Sequence, residues 1–260
     1  PGPIIEKPVR TLSQIKTLRV FDPEIDLQCV AQILRGLNAE LKGELPVLGF
    51  AGSPMSLALF MIAGCSPNQK IGEVLAFVEE QPDITQALLE WLTEMTVDYL
   101  NFQITSGAHA VQLFESFADV IPFEMYRKFV QLTHEKIFSA LTPNAPSILF
   151  TRESSHLDLM LKSGASVLSV GSCIDLGCAQ KKAPEMIFQG NVDNQILADR
   201  TKAEITEAVQ KCFEKSGRKN HILNLNHGLL ERTPFENVQH FVKVAQEFGR
   251  VEGMSEGKQS

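Results

Sequence analysis

Six short runs of β-forming residues, each closed by a polar or glycine-bearing loop and followed by a helical pattern, limit this chain more than any other feature. They cover residues 46–50, 110–114, 147–151, 166–170, 186–189 and 222–225. Their apolar residues are continuous more than alternating, as strands covered on both faces require. Strands alternating with helices imply a parallel sheet, either doubly wound or closed into an eight-stranded barrel. The loop after the first run, Gly49-Phe50-Ala51-Gly52-Ser53-Pro54, lacks the G-x-G-x-x-G spacing of a doubly wound dinucleotide site. The expected fold is therefore α/β, a (β/α)8 barrel with about six βα units in this chain. The helix expected at 23–40 precedes the first strand, so the two remaining units are expected upstream of Pro1.

The helices carry their own signals. Ile84, Leu88, Trp91, Leu92, Met95, Tyr99 and Phe102 recur at helical spacing after Asp83, an expected N-cap, and Gly107 stands where a left-handed C-terminal residue belongs. Tyr126, Phe129, Val130, Ile137 and Leu141 outline another helix, and Ile205, Val209, Cys212 and Phe213 a later one. Thr233-Pro234-Phe235-Glu236 reads as a capping box with proline at the first helical position, and Gly249 as the end of that last helix. No repeat or linker divides the chain, so one domain over 1–260 is expected, with a frayed polar tail at 252–260.

Composition narrows the classes. At 260 residues and 44% hydrophobic content, the chain can bury a full core. A formal net charge of −7, spread without blocks, argues against nucleic acid and against a polybasic membrane anchor. Residues 45–69 are uncharged, but prolines and glycines break them well below the ~18 apolar residues of a membrane span. Five cysteines at irregular spacing form neither a disulfide framework nor a paired zinc pattern, which fits a reducing cytoplasm.

Four segments in register carry a family resemblance: "VLGFAGSPMSLALFMIAG" (47–64), "AVQLFES" (110–116), "FQGNVD" (188–193) and "NLNHGLLERTPFENV" (224–238). They resemble the successive signatures of uroporphyrinogen decarboxylase, and the likeness runs from the opening "PGPIIEKPVRTLSQI" to the last helix. The resemblance implies a (β/α)8 barrel, usually a homodimer, that removes carbon dioxide from the four acetate arms of uroporphyrinogen III to give coproporphyrinogen III in haem synthesis, with no cofactor or metal. It implies substrate-binding roles for His227, after the last strand, for Ser116, ending "LFES", for Phe114 beside it, and for Phe60, which stands at the family's tyrosine position. The family's aspartate at the pyrrole nitrogens and its arginine-rich "RQAGRYLPE" loop do not occur in the 260 residues. The resemblance places both upstream of Pro1. Met55 stands for a usual tryptophan, Asn226 for a glycine, Ser172-Cys173 for an Asp-Trp pair and Arg152 for a frequent lysine.

Plainer roles stand beside these. Without the resemblance, His227 reads as a loop histidine satisfied by a carbonyl, Ser116 as a capping hydroxyl, and Phe60 as packing among Leu57, Leu59 and Met61. Arg152-Glu153 reads as an exposed ion pair. Gln189-Gly190-Asn191 reads as a strand-end turn, and His109, His134, His156, His221 and His240 as structural or surface residues. Two other functions are open: a zinc-dependent methyltransferase of the same superfamily, whose His-x-Cys ligands find no counterpart in "FTRES" or "NLNHG", and an inactive tetrapyrrole-binding barrel.

Overall fold

The computed structural model describes residues 4–143 and 145–249. The described residues group into two compact units. One comprises Pro1–Thr151 with His156–Val167, and the other Arg152–Ser155 with Leu168–Ser260. The tail expected at 252–260 lies outside the described residues.

The strands are β1 (Leu48–Gly52), β2 (Ala110–Glu115), β3 (Ser147–Thr151), β4 (Val167–Ser169), β5 (Ile187–Val192) and β6 (His221–Leu225). Strands pair in parallel, β1 with β2 and β2 with β3 in the first unit and β5 with β6 in the second. Within the first unit the order is β1-β2-β3, and in the second β5 lies beside β6. β3 and β4 are buried at every position, as their continuous apolar runs predict. β1 and β6 depart from that expectation. Leu48, Phe50 and Ile222 are exposed between buried or half-buried neighbours, so one face of each of these strands is open. The open edge of β1 is occupied by an amide. Gln103 Nε2 donates to the Phe50 carbonyl at 3.0 Å and its Oε1 accepts the Phe50 N–H at 2.8 Å, replacing the missing strand partner.

Helix Pro82–Thr105 buries Leu88, Leu92 and Met95 on the stripe read from its period. It begins at Pro82, which puts Asp83 in the first turn rather than at the N-cap, and Gly107 follows it at φ 112°. The helix expected at 23–40 is split into Pro23–Asp26 and Gln28–Leu41. The helix expected from Tyr126 opens with a π-turn, Tyr126–Val130, before Gln131–Ala140. Lys202–Ser216 and Phe235–Gly249 pack through Val209, Phe213 and Val244. The capping box expected at Thr233 gives way to a later helix start. Thr233 Oγ1 accepts the Leu230 N–H, and the helix begins at Phe235. A reciprocal box instead opens Lys202–Ser216, between Thr201 and Glu204. No helix among the described residues is long and apolar enough to cross a membrane.

Candidate functional site

In the first unit the chemistry gathers at the C-terminal end of β2. Alternation along that strand buries Val111, Leu113 and Glu115 together, so the register of an otherwise apolar face carries a carboxylate inside. A buried carboxylate has to be satisfied locally. Ser53, the N-cap of helix Pro54–Ala63, donates its hydroxyl to Glu115 Oε2, and Ser56 donates to Oε1 at 2.6 Å. Both serines also accept a backbone N–H, Ser53 from Ser56 at 3.2 Å and Ser56 from Ser116 at 2.9 Å. His134 Nε2 lies 3.4 Å from Glu115 Oε2, and the Tyr126 hydroxyl lies 3.5 Å from His134 Nδ1. Burial, and then the charge of Glu115, hold the Tyr126 phenol well above its ordinary range.

Three of the expected residues lie in the same unit. Ser116 is half-buried, with its backbone pinned through Ser56 to Glu115. Phe114 stacks edge-on to Phe50 at 5.8 Å and tilted on Phe150 at 5.2 Å. Phe60, on helix Pro54–Ala63, meets Phe117 edge-on at 5.7 Å. Glu115 itself was missed by sequence reasoning. Its signal was available: an acidic residue on the buried parity of a strand, with a Ser-x-x-Ser at the start of helix Pro54–Ala63.

In the second unit a second carboxylate organises the loops after β4 and β6. Glu153, at φ 40°, accepts the Ser172 N–H at 2.8 Å, the Ser172 hydroxyl at 3.1 Å and Asn226 Nδ2 at 2.8 Å on Oε1. Its Oε2 accepts the Cys173 N–H at 3.0 Å. Burial pushes the carboxyl up, but these donors outweigh it and leave the pKa below the usual glutamate value. Glu153, expected to be exposed beside Arg152, is half-buried and accepts from four donors. The thiol of Cys173 is driven up to about 11 by burial, then by the charge and hydrogen bond of Glu153.

His227 is exposed, but both its neighbours are tethered. Asn226 Oδ1 accepts the Asn194 N–H at 2.8 Å, and Asn194 Nδ2 donates to the Gly228 carbonyl at 2.7 Å. Gln189-Gly190-Asn191 lies inside β5 rather than in a turn, because the strand continues to Val192. Asn191 Nδ2 donates to the carbonyls of Gly171 and Ile174, at 2.8 and 2.7 Å. His221 binds the Gly190 carbonyl through Nε2 at 2.6 Å, 3.9 Å from the Cys212 thiol. Burial lowers the His221 pKa and raises that of Cys212. His109, His156 and His240 hold backbone groups and are structural, as read. His134 differs, because it faces Glu115. A groove of about 560 Å³ opens beside Ser172, Asn191 and Asp193, but its Arg200–Glu204 and Lys211–Glu207 pairs satisfy one another. Among the described residues no group of three or more His, Cys, Asp or Glu is placed to hold a metal ion.

Comparison with known proteins gives this geometry a family. A family model described as uroporphyrinogen decarboxylase (URO-D) matches residues 1–248. Uroporphyrinogen decarboxylase of Trichlorobacter lovleyi is 37% identical over 246 residues, 93% of this chain and 72% of that protein. That of Prochlorococcus marinus is 38% identical over 246 residues, 92% of this chain and 70% of that protein. Among solved structures, a methyltransferase from Methanosarcina mazei superposes with a TM-score of 0.78 at 17% identity, covering 95% of this chain and 71% of that one. A B12-independent methionine synthase from Shewanella gives 0.58 at 10% identity, over 84% and 67%. These likenesses show the fold, an α/β architecture of the (β/α)8-barrel class.

Proposed function

The chain belongs to the uroporphyrinogen decarboxylase family, and from that premise we propose that it is a carboxy-lyase acting on uroporphyrinogen III. It removes carbon dioxide from the four acetate arms to give coproporphyrinogen III in haem synthesis, and it uses no cofactor. The observation that carries this reading is the family match over residues 1–248. Ser116, Phe114 and His227 support it, standing at or just past the C-terminal ends of their strands, where barrels of this class carry their sites.

The chemistry gives these residues their tasks. Losing carbon dioxide from an arylacetate leaves an electron pair that needs a sink, and protonating the pyrrole ring at carbon supplies one as a transient cation. The substrate is also a polyanion, costly to seat unless its carboxylates meet donors. The Ser116 hydroxyl donates to a carboxylate, the His227 imidazole contacts a carboxylate or the pyrrole region, and the Phe60 and Phe114 rings pack against the macrocycle. The same resemblance implies a cytoplasmic homodimer, which sedimentation tests.

The deciding experiment is anaerobic incubation with uroporphyrinogen III, with stepwise loss of carboxylates followed by chromatography. Accumulating coproporphyrinogen supports the reading. Tight binding without product makes the chain a tetrapyrrole-binding barrel, and neither binding nor product overturns it.

A further inference from the structure

The inference drawn here rests on the reading of His227 as a substrate contact and deepens it. Between the end of β6 at Leu225 and the helix start at Phe235, His227 has no strand or helix of its own to hold it. Its two neighbours are tied by side chains. Asn226 uses both ends of its amide, Nδ2 on Glu153 and Oδ1 on the Asn194 N–H, while Asn194 Nδ2 holds the Gly228 carbonyl on the far side. Both flanks of the histidine are tied, and one tie runs to Glu153.

We propose that Glu153 is a positioning residue for His227: its carboxylate pins Asn226 and so fixes the backbone from which the exposed imidazole is offered to an anionic pyrrole ligand. Three features of the surroundings fit this role. Four donors converge on the two oxygens, a demand that only an acceptor-only group meets. Residue 153 takes a left-handed backbone, unusual for glutamate, and such outliers gather where a particular side-chain direction is needed. Finally, a Cβ at Gly171 would lie 2.6 Å from Glu153 Cα, so the backbone there approaches too closely for any side chain. That approach brings the Ser172 and Cys173 donors within reach of the same carboxylate that holds Asn226.

The test makes Glu153→Gln and His227→Ala singly and together. Binding of uroporphyrinogen III is measured anaerobically, and the His227 ring resonance is followed by NMR in the ligand-free protein. Glutamine keeps the size but has one acceptor oxygen and turns an NH2 toward backbone donors. Its Kd is expected to rise about tenfold, and the double variant is expected to bind no more weakly than His227→Ala alone, because one residue acts through the other. The ring resonance, single in the parent, should broaden or split in Glu153→Gln. An additive double variant, or an unchanged resonance in folded Glu153→Gln, overturns the proposal. If His227→Ala alone leaves Kd unchanged, the substrate-contact reading falls, and the resonance by itself decides whether Glu153 holds the ring. Should Glu153→Gln not fold, Asn226→Ala, which cuts the tie and spares the other donors, is held to the same criteria.

Discussion

Two carboxylates, Glu115 and Glu153, organise the polar residues at the strand ends. Glu115 is fully buried and takes hydroxyls from Ser53 and Ser56 beside His134. Its replacement by alanine strands these partners, so Glu115→Ala is expected to lose roughly 3 kcal/mol or more in urea unfolding. A loss below about 1 kcal/mol, the worth of one ordinary hydrogen bond, would show the cluster is not satisfied through this residue. Glu153 has a chemical reporter in Cys173, whose thiol is raised to about 11. Alkylation of Cys173 by iodoacetamide, read by mass spectrometry, should therefore be slow near neutral pH and quicken as the pH approaches that value. In Glu153→Gln the curve should move to lower pH; an unmoved curve would mean the carboxylate does not act on the thiol. The residues around these groups were legible in unequal degree. "NLNHG" marked His227 because its composition is distinctive, whereas the tie from Asn226 to Glu153 spans 73 positions and leaves no local trace.

At the scale of elements, the sequence pattern was informative wherever burial is periodic. β3 could be read because every residue in it is buried, and Pro82–Thr105 because its apolar stripe repeats at 3.6. Ends were less legible, since caps depend on which partner a hydroxyl reaches. Thr233 has the right spacing for a box but its hydroxyl goes to Leu230, while Thr201 forms one with Glu204. Thr201→Ala is thus expected to lower stability by about 1 kcal/mol, measurable as a shift in thermal midpoint, and Thr233→Ala not through helix capping. A second prediction concerns close approach. At Gly171 a methyl group would lie 2.6 Å from Glu153 Cα and 2.8 Å from its N, both backbone atoms that cannot rotate away. Gly171→Ala should cost about 1–3 kcal/mol in chemical unfolding, and a neutral result would show that the two loops can part without penalty.

For the whole molecule, acid is expected to weaken the fold in two stages. His221 has a folded pKa below its ordinary 6.5, so the unfolded chain binds its proton first; that contribution is complete above about pH 6.5 and is lost as pH falls below it. Glu153, also depressed, adds a further loss below the ordinary glutamate value of 4.5. Thermal midpoints measured between about pH 7.5 and pH 5 should fall, and His221→Gln should flatten the upper part of that curve. A parent protein with a flat profile there would contradict the assignment. The order of strands and helices, the parallel barrel class and the family were all determined by the sequence, because they rest on local periodicity and on contiguous motifs. The tertiary structure alone decided which polar side chains meet. Glu115 finds Ser56 and Glu153 finds Asn226 across 59 and 73 positions, and a hydrogen bond depends on atoms brought together by the fold rather than on their order along the chain.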